Sequence, residues 1–367
     1  MAVTIQEIAD KLHVSASTVS RSLRNDPLIH PATRARIHQT AIAIGYQGRA
    51  RRGRTPAKAD AFDSETAIIH PPKRSTIAVL LGATDMQDAR RKGNFIRMLE
   101  GITAECDRMG ALNSLHNITT TTDDAVTAAK HPLPPIISEG LCNAVIVAGP
   151  ARSEDVAAIA RLYPVVTLSR VFSGVASDAV LADNVRGTAS LVARLASLGH
   201  RKLVFVPNSR ISTFDEDRYA GFVSGCVKSN LDLAMQARIT EDRLIMPDGS
   251  PDSDAVLKLI MDRGVTALVA ANDEVAVRLI TALERLGLAV PDVLSVTGFD
   301  YDDSAAYLMR STGRSLTTID PNFNEMGRCA VRMVLQRLEY SAVPALQLSV
   351  TGTLINGETI APPRGAI

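Results

Sequence analysis

The 367 residues contain no tryptophan, and aromatic side chains make up only 4% of the chain, which excludes an indole platform for stacking a sugar. The four cysteines, Cys106, Cys142, Cys226 and Cys329, lie far apart with no CxxC pair. That spacing argues against a zinc ribbon or a disulfide scaffold and for reduced, packed thiols. No apolar run reaches the roughly 18 residues that a membrane helix needs, and the opening MAVTIQEIADKL lacks the basic-then-apolar layout of a secretory signal. A cytoplasmic protein with no membrane partner is expected. GxSxG, HExxH, a P-loop and a GxGxxG after a strand are all missing. No catalytic residue, metal ligand or cofactor is therefore assigned, and an enzyme is not expected. His116, His131 and His200 are scattered. His200, in the LGHRK turn, reads as a surface residue, and Asp123-Asp124 and Asp302-Asp303 read as solvated loop acids.

What is present fits a globular chain of two to three domains: 46% of residues are hydrophobic and 22% charged. The net charge of +1 conceals an asymmetry. Up to Lys58 there are ten basic residues against three acidic ones, a net of +7, which leaves −6 for the rest of the chain. A basic head on an acidic body is the footprint of a polyanion binder carrying a separate module.

The head, residues 1–46, reads as three short helices. Thr4-Ile5-Gln6-Glu7 has the form of a capping box, and Ile5, Ile8, Ala9 and Leu12 then repeat at helical spacing. Ser15 is a good N-cap for a second helix in which Ala16, Val19, Ser20 and Leu23 can face the first. Asn25-Asp26-Pro27 ends that helix. Pro31 opens a third, running through Arg34, Ile37, Ala41 and Ile44 to Gly45. Three short helices with a tight first turn are a helix-turn-helix layout, whose second helix enters the major groove. On that helix Arg21 is best equipped to read guanine through O6 and N7, while Ser17, Thr18 and Ser20 suit phosphate or groove-edge contacts.

The stretch VTIQEIADKLHVSASTVSRSLRN, continuing into ATRARI and IGY, resembles the DNA-binding head of the lactose/galactose-repressor family of transcription factors. The resemblance implies that Ala16, Ser17 and Arg21 read bases and that Thr18 and Ser20 anchor phosphates. Thr4, Ser15 and Asn25 complete the expected DNA-binding set. One departure is His30-Pro31, where the family usually has a Ser-type cap.

Residues 47–74 form a basic, glycine-broken linker. In the family this stretch folds on DNA into a hinge helix, and a leucine from each subunit wedges into the minor groove. No leucine occurs from residue 47 to 74, and Thr55 falls near the wedge position. Arg49, Arg51, Arg52 and Arg54 are expected to contact phosphates and a narrow minor groove instead. Pro56 to Pro72 then make an unusually long tether.

In the body, residues 75–367, apolar runs of buried-strand length alternate with helical patterns. The runs are Ile77–Leu81, Ala144–Ala148, Val165–Leu168, Val180–Ala182, Leu203–Val206, Ala267–Ala270 and Leu294–Thr297, with a helix over Gly187–Leu198 closed by Gly199. The alternation predicts an α/β body with parallel sheets in two lobes. Ligands in such folds bind beyond the carboxyl ends of strands, here in the cleft between lobes. The pieces ADNVRG, LASLGHRKLVFV, DRYAGF, ALVAANDEVAVRLITALERLGLAVPDVLSVTGFD and LTTID resemble the periplasmic-binding-protein-like effector domain of the same repressors. This implies an N-lobe of about 75–183 and 311–341 and a C-lobe of about 184–310 and 342–367. It also implies effector contacts at Arg218, Asp300 and Asn272. Ser169 stands where many sugar-binding members carry Asp, and Phe95 remains of a common aromatic pair. The alternative for Arg218 and Asp300 is a structural salt bridge.

The expected whole is an all-α helix-turn-helix head on a two-lobed body: a dimeric repressor on a near-palindromic double-stranded operator, controlled by a small polar effector such as a sugar or nucleobase. The alternative is a small-molecule binding module whose DNA association is weak or uncoupled. The tail INGETIAPPRGAI carries no leucine heptad, so a C-terminal tetramerising coiled coil is not expected.

Overall fold

A computed structural model describes residues 4–23, 29, 33, 36–38, 40, 41, 44, 46, 74–82, 93–118, 133–207, 213–246, 252–340 and 344–363. The head begins with α1 (Ile5–Leu12), started by the expected capping box: the Glu7 amide donates to Thr4 Oγ1 and the Thr4 amide to the Glu7 carboxylate. His13, in left-handed backbone, ends it and opens the tight turn. Helix α2 (Ala16–Ser22) follows, capped by Ser15. Ile8, Ala9, Val19, Ile37 and Ala41 form the buried core of the head. His38 Nε2 donates to the Ser22 carbonyl at 3.1 Å, fastening the helical residues around 37 to the end of α2.

The described residues of the chain divide into two compact units. The first is drawn from Met1–Ala89, Leu99–Val180 and Gly327–Leu348, the second from Arg90–Met98, Leu181–Met326 and Ser349–Ile367. In chain order the body elements begin with β1 (Thr76–Gly82), α3 (Gly93–Met109), β2 (Leu112–Ile118), α4 (Pro135–Ser138), β3 (Ala144–Ala148), α5 (Ser153–Ala160), β4 (Val165–Leu168) and β5 (Asp178–Ala182). There follow α6 (Asn184–Ser197), β6 (Leu203–Val206), α7 (Thr213–Lys228), β7 (Ala237–Arg238), α8 (Ser253–Met261), β8 (Ala267–Ala270), α9 (Asp273–Arg285), β9 (Ser295–Thr297), α10 (Asp303–Thr312) and β10 (Thr318–Asp320). The chain closes with α11 (Phe323–Glu339), β11 (Gln347–Val350) and β12 (Thr353–Ile355).

The larger sheet has the order β11-β5-β4-β3-β1-β2, with parallel pairing from β5 through β2. Its strands β3, AVIVA, and β4, VVTL, are buried along their whole length, which is why they read as continuous apolar runs rather than alternating ones. The second sheet is parallel with the order β7-β6-β8-β9. Beside it α6 and α7 pack at close range because Gly221 has no side chain: a Cβ there would lie 2.5 Å from the Val185 carbonyl oxygen.

Residues 311–326 lie in the second unit, whereas the sequence expectation grouped them with the N-lobe. Antiparallel pairing of β10 with β12 holds them there. His200 is another difference. It is 1% exposed rather than on the surface, with Nδ1 2.8 Å from Thr266 Oγ1 and Nε2 2.9 Å from the Ala361 carbonyl. The carbonyl can only accept, so Nε2 carries the proton and Nδ1 accepts from the hydroxyl. Burial lowers its pKa below the ordinary imidazole value. Asp302 is likewise no free loop acid but the N-cap of α10. No disulfide joins the four cysteines, all of them among the described residues, and burial raises Cys106 to about 11, Cys142 to about 12 and Cys226 to about 11, leaving those thiols protonated and unreactive at neutral pH. Among the described residues no helix is long and apolar enough to cross a membrane.

Candidate functional site

The DNA-facing candidates lie on α2. Val19 and Ser22 point into the core, which turns the opposite face of the helix outward. Ser17 is exposed, and Ala16, Thr18, Ser20 and Arg21 are half-buried. Ser15 Oγ accepts from the Thr18 amide at 3.1 Å and lies 2.7 Å from Ser17 Oγ and 2.8 Å from Thr18 Oγ1. Thr4 and Ser15 thus serve as caps of α1 and α2, whatever else they touch. Asn25, Arg49, Arg51, Arg52 and Arg54 lie outside the described residues.

Of the five expected effector residues, Arg218 and Asp300 are brought together. Arg218, on α7 and 7% exposed, donates from Nη2 to Asp300 Oδ1 at 2.7 Å and from Nη1 to Oδ2 at 3.4 Å. Its Nε donates to Asn184 Oδ1 at 2.9 Å and Nη1 to the Ala271 carbonyl at 2.6 Å. The guanidinium also lies over the Phe299 ring, 3.9 Å from its centroid. With five N–H donors in a fixed fork, Arg218 spends nearly all of them on the protein, so it presents a rigid, pre-oriented edge. Burial raises the pKa of Asp300, and the Arg218 charge and hydrogen bonds oppose that rise. Asp273 beside it is 0% exposed and pushed well up by burial. It accepts from Thr318 Oγ1 at 2.5 Å and from the Asp302 amide at 2.9 Å.

Asn272 caps α9, its Oδ1 accepting from the Val275 amide at 2.8 Å; its amide nitrogen faces no constraint from that role. Phe95 sits half-buried in the first turn of α3. Ser169 ends β4 in the first unit with φ 60, and its Oγ is buried with no hydrogen-bond partner among the described residues. Sequence reasoning missed Asn184, Phe299 and Asp273. The first two were visible as ADNVRG and GFD, but nothing in those strings says that they hold an arginine on another helix. It also missed a cavity of about 600 Å³ in the second unit, walled by Asn94, Arg97, Tyr301, Asp303, Met309 and Ile355. The buried Asn94 Oδ1 on its wall has no hydrogen-bond partner among the described residues.

Residues 4–48 match the family described as bacterial regulatory proteins, lacI family, and residues 192–360 match a periplasmic binding protein-like domain. Over its full length the chain is 26% identical to the HTH-type transcriptional regulator GalS of Salmonella typhimurium, covering 98% of that protein. It is 22% identical to the ribose operon repressor of Haemophilus influenzae, over 92% of each chain. Among solved structures, a complex of the transcriptional regulator CelR with cellobiose aligns with a TM-score of 0.59 at 18% identity, over 97% of this chain and 99% of that one. The lac repressor dimer bound to operator and the anti-inducer ONPF aligns at 0.56 and 18%, over 98% and 100%. The head's capped helix pair and the parallel-sheet body are the two parts that these matches cover. The chain thus joins a helix-turn-helix head that matches the lacI family of bacterial regulatory proteins to a body that matches the periplasmic-binding-protein-like domain.

Proposed function

We propose that this DNA-binding transcriptional regulator, a binding protein rather than an enzyme, acts in the cytoplasm as a repressor. It works as a homodimer on a near-palindromic operator and responds to a small polar ligand at Arg218 and Asp300. The observation that carries the DNA half is the outward face of α2, where exposed Ser17 and partly exposed Arg21 stand on a helix fixed by the Ser15 cap and by Val19 in the core. Ala16 and Ser17 are small, so base reading leans on Arg21, with Thr18 and Ser20 on phosphates. Thr4, Ser15, Asn25 and the linker arginines 49, 51, 52 and 54 add backbone contacts.

The ligand half is supported by a buried charge pair beside acids displaced toward neutrality. A donor- and acceptor-rich molecule can exploit such a pair by exchanging hydrogen bonds with it. Asn272 and Phe95, in the same unit, are the further proposed contacts, and Ser169 is a separate candidate in the first unit. Relatives point the same way: one is named a ribose operon repressor, and one solved relative holds cellobiose. Ligand shifts DNA affinity only through differential binding to two states, and a nearly complete switch needs about 5.5 kcal/mol of it.

The test begins with selection of duplexes from a random pool by the full chain, followed by titration with a panel of sugars and nucleobases. A shared, near-palindromic sequence is expected, and Arg21→Ala should lose about 1–3 kcal/mol of discrimination per contacted base pair. Retention of that discrimination by Arg21→Ala overturns the base-reading assignment. A ligand that binds without altering DNA affinity overturns the repressor switch in favour of an uncoupled binding module.

A further inference from the structure

The turn after β9 is the only place among the described residues where two successive non-glycine residues take left-handed backbone: φ is 107 at Asp300 and 49 at Tyr301. Such backbone persists only where its surroundings hold it. On one flank Arg218 grips the Asp300 carboxylate. Below, the Asp300 amide donates to the Ile319 carbonyl at 2.9 Å and the Asp302 amide to Asp273. On the other flank stands Arg97, in the first turn of α3. Its Nη1 donates to the Tyr301 carbonyl at 3.2 Å, and its Nη2 donates to both oxygens of Asp320 at 2.6 Å. The same guanidinium lies 5.9 Å from the centroid of the Tyr301 ring and 5.6 Å from that of Phe323. Asp320 is itself fixed, accepting from the Asn322 amide at 2.8 Å. One strained peptide therefore separates the carboxylate held by Arg218 from the carbonyl held by Arg97.

We infer that Arg97 is the positioning residue through which the conformation of the Asp300–Tyr301 turn is passed to α3. A partner that draws the Asp300 carboxylate away from Arg218 lets the strained peptide rotate, and the Tyr301 carbonyl moves with it. Arg97 then keeps its two charge-assisted bonds to Asp320, which outweigh a single bond to a neutral carbonyl. The first turn of α3 parts from the turn it had been clamping. From Leu99 onward the same helix belongs to the first unit, where Glu105 is held by Arg108, Arg328 and Arg332. A change at its first turn thus starts in one unit on a helix anchored in the other. The inference rests on the Arg218–Asp300 reading only for its natural trigger, because its test uses no ligand.

The test is amide hydrogen exchange on the full chain, read at residues 97–100, whose amides close the first turns of α3, and at Asp300 and Asp302. Asp300→Asn, which leaves the shape of the side chain but removes its charge, should accelerate exchange at 97–100 by about fivefold or more. In an Arg97→Ala background the same substitution should add less than about twofold, because the coupling element is gone. Arg97→Lys, which keeps the charge but offers one nitrogen in place of the two that separately reach the Tyr301 carbonyl and Asp320, should behave as Arg97→Ala does. Unchanged exchange at 97–100 in Asp300→Asn, or acceleration by the same factor with and without Arg97, overturns the inference. Should Asp300→Asn fail to fold, Asp320→Asn runs the measurement in reverse. It should speed exchange at Asp300 and Asp302 in the native background and not in Arg97→Ala, and any other pattern is refuting. Either failure leaves the ligand reading standing.

Discussion

Glu105 in the first unit and Asp300 in the second are both enclosed acids gripped by arginine, yet they are displaced in opposite directions. Glu105, with no exposed side-chain surface, faces three arginines: Arg108 at 2.6 Å, Arg332 at 2.7 Å and Arg328 at 3.4 Å. Hydrogen bonds from Arg108 and then Arg332 hold its pKa at about 2, overcoming burial. Asp300 has Arg218 on one side and further acids nearby. Burial is the largest influence and raises its pKa, with Asp215 adding to the rise and Arg218 only opposing it. The difference lies in whether the arginines outweigh burial: at Glu105 the hydrogen bonds of Arg108 and Arg332 do, whereas at Asp300 burial outweighs Arg218 and Arg97 together. An acid outnumbered by arginines stays charged and serves as an anchor. An acid whose arginines do not offset its burial, as at Asp300, is held less firmly in its charged form.

Asp178 offers the strongest way to break that contrast. This first-unit acid accepts two bonds from Arg337, at 2.6 and 2.5 Å, and one from the Leu346 amide at 2.7 Å. In that way it ties β5, α11 and the approach to β11 together. Asp178→Ala leaves Arg337, only 14% exposed in its side chain, without its counter-ion and should cost about 3–5 kcal/mol in denaturant unfolding. Asp300→Asn should cost less, about 1–2 kcal/mol, because Asn keeps an acceptor for Arg218, which also donates to Asn184 and the Ala271 carbonyl, and burial already disfavours the charge that is removed. Equal losses at the two positions would erase the distinction between anchor and responsive site.

A smaller effect is expected at Asn272. Asn272→Ala removes the α9 cap and should cost about 1 kcal/mol, while Asn272→Asp or Asn272→Ser should recover most of it. Loss of ligand response in the variants that keep the cap would identify Asn272 as a ligand contact as well.

The subtlest measurement is pH dependence, where the two acids carry opposite signs. The Glu105 pKa is lowered on folding, from an ordinary 4.5 to about 2. Its contribution is therefore present above 4.5 and lost as the pH falls toward 2, and the gap between native protein and Glu105→Gln should close over that window. The Asp300 pKa is raised above an ordinary 3.8. Its contribution is complete below 3.8 and is lost as the pH rises through the elevated value. The native protein should therefore lose stability relative to Asp300→Asn as the solution is brought from acid to neutral. Shifts of the same sign in both variants would contradict the comparison.

Much of the architecture was legible beforehand because its signals are short in range. The Thr4–Glu7 capping box spans three residues and appears as expected. The apolar runs that became β1, β3, β4, β6 and β8 are buried on both faces and so announce themselves without a partner. Strand β2, LNSLHNI, was overlooked because it lies at the edge of its sheet and is mostly exposed. Its polar composition hides the pairing that places it beside β1. Strands β10 and β12 are three residues each and exist only because they pair with each other. His200 was misjudged for a related reason: its turn is polar in sequence, but the Ala361 carbonyl that buries it arrives from 161 residues away. In the candidate site, Arg218 and Asp300 were identifiable within their motifs. Arg97, standing in the first turn of an otherwise ordinary amphipathic helix, was not.

The charge split between head and body, the caps and turns of the helices in the head, and the parallel-sheet class of the body were readable from neighbouring residues alone. Each of these follows from propensity, periodicity or composition over a few neighbouring residues. Which arginine meets which acid was set by the folded chain. Arg97 finds Asp320 across 223 positions and Arg332 finds Glu105 across 227, and whether a carboxylate stays charged then depends on how much water it has lost and how many cations replace that water.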